Sequence, residues 1–172
     1  MNPLFRKSAI VIFSLALMLG VFPLAYSSPL TTSAYVVRVT DSSTLQVYVN
    51  DSAENVRMIA VDLPSKLDPN KHSKANGLKA EKFLREQLEG RTIYLQFDKQ
   101  QRDKENCLLA YVWLSQPTSD SDDDLRDKLF NARLVLDGYG RLKIESVNVK
   151  YATFLQRYQA EAQVGDKGIW DR

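Results

Sequence analysis

The stretch Asn55-Val56-Arg57-Met58-Ile59-Ala60-Val61-Asp62-Leu63-Pro64-Ser65 constrains this chain most. It reads as a strand that stops at a proline. Alternation sends Val56, Met58 and Ala60 to one side and Arg57, Ile59 and Val61 to the other. Arg57 is the single polar residue from Val56 to Val61. Pro64 has no N–H for a ladder and biases Leu63 toward an extended conformation, so the element ends at Asp62. A guanidinium and a carboxylate therefore sit five positions apart on one short element. Taken alone, that describes a surface arginine and a strand-ending aspartate as well as it describes a pair of site residues.

Two further strands precede it. Ala34 to Val39 is rich in β-formers, and Thr44 to Val49 alternates cleanly; Asp41-Ser42-Ser43 and Asn50-Asp51-Ser52 supply the turns. This predicts a three-stranded meander. Residues 66–76 read as a polar loop containing His72. A helix is predicted from Leu78 to Leu88, with Ala80, Phe83, Leu84 and Leu88 on its apolar face and Gly90 just past its end. A fourth strand, Thr92 to Phe97, and a fifth, Leu108 to Leu114, flank a charged hairpin loop, Asp98 to Asn106. Residues 115–127 form an acidic insertion with a net charge of −4 over 120–127, predicted to be solvated and mobile. A helix from Leu125 to Asp137, stopped by Gly138, and a last helix from Val149 to Gln163 complete the pattern. Tyr151, Phe154, Leu155, Tyr158 and Ala162 stripe that last helix, and Trp170 is expected to fold back onto the domain. Five short strands, one helix before the fourth and two at the end make an α+β chain. They favour a closed five-stranded OB-type β-barrel capped by three helices.

Residues 1–27 are set apart from this domain. Arg6 and Lys7 precede an apolar run from Ile10 to Ala25, and Ala25-Tyr26-Ser27 has the small-x-small pattern of a cleavage site. The run is short for a membrane span. A signal peptide is preferred, with an uncleaved N-terminal anchor as the alternative and residues 28–172 as the domain. Membrane association is expected only if the segment is uncleaved. Either way the chain is exported: secreted, periplasmic or lumenal, or tethered to a membrane. Without Arg6 and Lys7 the chain is formally neutral, so bulk charge makes no case for nucleic-acid binding and a local patch would be needed. Cys107 is the only cysteine, which excludes an intramolecular disulfide.

The order of motifs resembles the staphylococcal nuclease-like, or thermonuclease, family over about Tyr35 to Asp171. Val39-Thr40-Asp41-Ser42-Ser43-Thr44-Leu45 is similar to its V-x-D-G-D-T turn. Val56-Arg57-Met58-Ile59-Ala60-Val61-Asp62-Leu63-Pro64-Ser65 is similar to its V-R-L-x-x-V-D-T-P-E segment. Gly77 to Leu84 resembles its G-x-x-A-x-x-F-L helix start, and Phe97-Asp98-Lys99 followed by Leu109-Ala110-Tyr111 resembles its hairpin. Leu129-Phe130-Asn131-Ala132-Arg133-Leu134-Val135, then Glu161-Ala162-Gln163 and Gly168-Ile169-Trp170, complete the series.

The resemblance implies the five-stranded barrel read above, and hydrolysis of phosphodiester bonds in DNA and RNA with Ca²⁺. It also implies five site positions. The first ligand aspartate falls on Ser43; Asp41 matches the other, non-ligand aspartate of that turn. The second ligand position is Asp62. The carboxylate base falls on Ser65. The first arginine is Arg57, and the second falls on Cys107, counting back from Leu109-Ala110-Tyr111. The loop is one residue short, and Arg102 lies on the far side of its turn. A hard cation wants several oxygen ligands and carboxylate charge. A serine is no carboxylate base, and loss of one oxyanion donor costs about 10²–10³ in rate.

The expectation is thus a family member that has lost hydrolysis and acts as a binding or interaction module. Its partner would be nucleic acid, another anionic ligand or a protein. Lys66, Lys71, Lys74 and Lys79 would form a basic rim with Arg57. No cofactor is expected, or Ca²⁺ if the centre is active; the alternative is a Ca²⁺-dependent nuclease with rearranged groups.

Overall fold

The structure, a computed structural model, describes residues 28–144 and 147–171; the segment read as a signal peptide lies outside them. β1 (Thr32–Val39), β2 (Thr44–Val49) and β3 (Ser52–Met58) form the expected antiparallel meander. The β2–β3 turn has two residues, Asn50 and Asp51, both at positive φ (47° and 61°), which suits the right-handed twist of a tight hairpin. β5 (Thr92–Gln96) pairs antiparallel with β1 and with β6 (Leu108–Trp113). β3 and β6 run parallel, Val56 opposite Leu108 and Met58 opposite Ala110, and this seam closes the barrel. Val36, Leu45, Val47, Val56, Leu95 and Val112 fill it completely buried. In β1 the register shifts between Val36 and Arg38, so Val37 and Arg38 both face solvent between the buried Val36 and Val39.

The central strand is shorter than its alternation predicts. β3 stops at Met58. Ile59 and Ala60 make a turn, with Ala60 at φ +62°, and Val61–Asp62 becomes a separate strand, β4, paired with β7 (Arg141–Leu142). Ile59, Ala60 and Val61 are all buried instead of alternating. The turn's polar groups find partners outside the ladder. Ile59 N–H donates to the Ala110 carbonyl at 3.0 Å, and Lys143 N–H donates to the Ala60 carbonyl at 3.2 Å. The Ile59 carbonyl accepts from Asn131 Nδ2 at 2.8 Å. Asn131 is fully buried, and its Oδ1 accepts from Val112 N–H at 2.8 Å. One amide thus ties β6 to the turn.

The helices also differ from expectation. α1 runs Lys71–Leu88, starting seven residues before the predicted Leu78. Asn70 caps it, its side chain accepting from the backbone N–H of His72 and Ser73 at 2.9 and 3.2 Å. Gly77 lies where α1 crosses the Ser65–Lys66 backbone; a Cβ there would stand 2.6 Å from Lys66 N. The helix expected from 125 to 137 is two, α2 (Asp122–Lys128) and α3 (Phe130–Leu136), broken at the extended Leu129, which bridges to Trp113. α4 (Ala152–Val164) buries Leu155, Tyr158 and Ala162 as its stripe predicts. Among the described residues four helices therefore cap the barrel where three were expected. No helix among the described residues is long and apolar enough to cross a membrane. The C-terminal 3₁₀ turn, Gly168–Trp170, folds back, and Ile169 N–H donates to the Gly138 carbonyl at 2.8 Å.

The acidic stretch is built into the fold rather than left in solvent. Asp124 Oδ2 accepts from Thr118 N–H, Thr118 Oγ1 and Ser119 N–H at 2.7–2.9 Å, and Oδ1 pairs with Lys128 Nζ at 2.7 Å. Tyr151 hydroxyl donates to Asp120, and Tyr158 hydroxyl to Asp122. Burial opposes the charge on Asp124, but hydrogen bonds from Lys128, Thr118 and Ser119 prevail and hold its carboxyl well below the usual range. A depressed carboxylate contributes stability that is complete above its unfolded pKa of about 3.9 and is lost as pH falls through the folded value. Asp124→Asn should cost about 1–2 kcal/mol at pH 7. The gap to the parent chain should shrink progressively below about pH 4. Urea unfolding at pH 7 and pH 3 checks this; an equal gap at both would mean that the charge is immaterial.

Candidate functional site

An open cleft of about 650 Å³ lies where β3 ends. Its floor is Met58 to Asp62, its sides are Ser43, Arg57, Gln100, Asp103 and Lys104, and Leu109, Lys143 and Asn148 complete the lining. The β4–β7 pairing brings Lys143 next to Asp62, Nζ 3.9 Å from Oδ1. Buried Asn148 anchors the opposite wall: its Oδ1 accepts from Gln100 N–H and its Nδ2 donates to the Gln100 carbonyl, both at 2.8 Å.

Arg57 stands on the outer face of β3, level with Thr44 and Leu109. Its guanidinium is gripped by two carboxylates of the β5–β6 loop. NH1 pairs with Asp103, and NH2 with Glu105 at 2.9 Å. The Glu105 hydrogen bond, against the effect of burial and with the charge of Asp103, holds the Arg57 pKa above its ordinary value. Asp103 Oδ1 meanwhile accepts from the N–H groups of Glu105 and Cys107, both at 2.9 Å. Asp103 therefore shapes the loop and fixes Arg57 with one side chain. Glu105 is 73% exposed, so its contact is screened and easily broken.

Of the positions singled out in the sequence, the cleft brings together Ser43, Arg57 and Asp62. Ser43 Oγ donates to Asp41 Oδ1 at 2.8 Å, so each is occupied by the other. Ser65 and Cys107 do not line the cleft. Ser65 Oγ accepts from Leu67 N–H at 3.1 Å and organises its own turn. Cys107 is 7% exposed; burial, then the charge of Asp103, pushes its thiol up in pKa, with Arg57 opposing. It is a neutral thiol. Arg102 is engaged elsewhere, with Glu54 at 2.8 and 3.0 Å and the Asn106 carbonyl at 2.8 Å.

The basic rim is not where the loop reading put it. Lys66 is ion-paired with the buried Glu81 at 2.8 Å. Lys71, Lys74 and Lys79 are exposed on α1, with His72 beside them, and none lines the cleft. The cleft's lysines are Lys104 and Lys143. Sequence reasoning missed both, together with Asp103 and Glu105. No local pattern marks them, because pairing across some eighty residues and the Asn148 anchor bring them in.

The donor set does not fit the Ca²⁺ that the resemblance implies. Ser43 offers a neutral hydroxyl already bonded to Asp41, and Asp62 is a lone carboxylate with Lys143 beside it. Among the described residues no group of three or more His, Cys, Asp or Glu side chains is placed to hold a metal ion. What the cleft presents is three cations, Arg57, Lys104 and Lys143, interleaved with Asp62 and Asp103. That arrangement suits weak capture of an anion.

Comparison with known proteins places this geometry in context. A family model described as "Staphylococcal nuclease homologue" matches residues 55–172. The chain is 32% identical to a thermonuclease of Staphylococcus hyicus over 166 residues, covering 95% of this chain and 92% of that protein. It is 33% identical to a thermonuclease of Staphylococcus intermedius over 140 residues, 81% and 77% of the two chains. An endonuclease of Bacillus subtilis, YncB, is 28% identical over 137 residues, 78% of this chain and 60% of that one.

Proposed function

This chain belongs to the staphylococcal nuclease homologue family, and on that premise we propose that it is a nucleic-acid-binding domain whose hydrolytic centre is no longer assembled. The observation that carries the proposal is Arg57. The resemblance makes it a phosphate-facing arginine, and here Asp103 and Glu105 occupy its guanidinium. The same resemblance puts carboxylates where the chain has Ser43 and Ser65 and an arginine where it has Cys107. A phosphate entering the cleft displaces the exposed Glu105 from Arg57 and meets Lys104 and Lys143. Asp62 and Asp103 oppose it. The binding that results is modest and falls with salt. Export, by the N-terminal segment, belongs to the same proposal. The acidic stretch does not favour a protein-docking role, since Asp120, Asp122 and Asp124 are spent within the fold.

The test uses the purified full chain and single-stranded DNA. Digestion is followed with Ca²⁺ or chelator, and binding of an octathymidylate with chelator present. Cleavage should not exceed that of Arg57→Ala. Octathymidylate binding should weaken in Arg57→Ala, and should tighten up to about fivefold in Glu105→Gln, the span of an exposed ion pair. Ca²⁺-dependent cleavage abolished by Arg57→Ala would overturn the proposal and restore an active nuclease with rearranged groups.

A further inference from the structure

We infer that the strand-binding surface does not end at the Arg57 cleft but continues along the outer face of β2 and β1 to a pair of tyrosines that stack bases. The inference rests on the nucleic-acid reading above and extends it to a single-stranded ligand several nucleotides long.

Register sets out the path. On the outer face of β2, Thr44 lies level with Arg57, Gln46 with Asn55 and Arg38, and Tyr48 with Tyr35. Each step of two residues advances about 6.7 Å, close to one extended nucleotide repeat. The tyrosine rung is therefore roughly 13 Å from the Arg57 rung. Tyr35 and Tyr48 are 49% and 51% exposed, directly opposite one another, and Val37 at the bulge is exposed beside them. A soluble chain seldom leaves such a cluster open without a use for it. Tyrosine faces suit bases of any sequence, because every base has a π-face.

The charges point to a phosphate backbone. Arg38 is exposed on the rung between the tyrosines and Arg57, and has no carboxylate partner among the described residues. Arg91 adjoins Thr92, the residue paired with Tyr35; among the described residues its guanidinium donates only to the Glu86 carbonyl, at 3.3 Å. Two nearby carboxylates are already engaged. Glu89 accepts from Val39 N–H and Arg85, and Glu54 holds Arg102. The cleft arginine is neutralised in place, whereas Arg38 and Arg91 have no carboxylate partner among the described residues. Unpaired arginines interleaved with exposed aromatics fit single-stranded nucleic acid better than an apolar protein surface.

A length comparison with the full chain in chelator tests this, with octathymidylate and dithymidylate as probes. The dinucleotide spans the cleft alone; the octamer reaches the tyrosines. Tyr48→Leu keeps a strand-compatible apolar residue and should weaken the octamer about tenfold, with the dinucleotide unchanged. Arg38→Gln, which disturbs no observed contact, should lower the octamer's salt slope by about one and leave the dinucleotide's slope alone. Octamer binding that ignores both substitutions but still drops in Arg57→Ala overturns this inference and leaves the proposed function standing. An equal loss on both lengths also overturns it. If the parent chain binds neither oligonucleotide, the nucleic-acid reading itself fails.

Discussion

Asn131→Ala is expected to lower the unfolding free energy by about 3–5 kcal/mol, the largest effect of any single polar substitution in this fold. The side chain is fully buried and makes two hydrogen bonds, accepting from Val112 N–H and donating to the Ile59 carbonyl, both at 2.8 Å. Removing it strands a buried donor and a buried acceptor, each worth about 1–3 kcal/mol, and leaves a small void besides. The transition should fall by roughly 10 °C. Asn131→Leu separates the two causes: it refills the volume but restores neither hydrogen bond, so it should remain nearly as unstable. Urea unfolding of the three chains decides. A loss below about 1 kcal/mol would mean that the Ile59–Ala60 turn holds without its amide. Because that turn lies between Arg57 and Asp62 and both line the cleft, octathymidylate affinity should fall together with stability.

Gly138→Ala is the second large effect, expected at about 2–4 kcal/mol. Gly138 has φ +70°, where a side chain is strained. A Cβ there would also lie 2.6 Å from the Lys167 carbonyl carbon. Gly168, at φ +54°, faces it reciprocally, its own Cβ position 2.7 Å from the Gly138 carbonyl carbon. Two backbones thus meet with no side chain between them, and the Ile169 N–H to Gly138 hydrogen bond spans the contact. A methyl group there forces the C-terminal turn off α1 and the end of α3. The expected signature is double: lower stability in urea, and a C-terminus that carboxypeptidase trims in the variant but not in the parent. An untrimmed, equally stable variant would show that this contact yields without loss.

The meander, the barrel strands and the stripe of α4 could be read from residues, because each rests on local periodicity and turn chemistry. The failures have physical causes. α1 begins at Lys71, but its first two turns carry no apolar stripe, so only the Asn70 cap announces them. Ile59, Ala60 and Val61 look like strand because all are apolar; Asn131, seventy-two residues away in sequence, turns the chain there. At the site, Arg57 and Asp62, the pair the strand pattern singles out, both line the cleft. Their surroundings were not legible in the sequence. Asp103, Glu105, Lys104 and Lys143 reach the cleft through long-range pairing that leaves no local mark. Lys66 looked free for a ligand until α1 brought Glu81 to it.

The parallel seam of the barrel also has a consequence in time. Val56 must find Leu108, and Arg57 must find Leu109, across fifty-two residues of chain that include all of α1 and β5. Closing such a loop is entropically costly and kinetically late. During synthesis the meander is complete while half of its ladder partners do not yet exist, and β3 waits with an open edge. Asn131, which secures the seam from β6 to the turn, follows later still. The barrel therefore stays unclosed until nearly two thirds of the chain, up to β6, has been made.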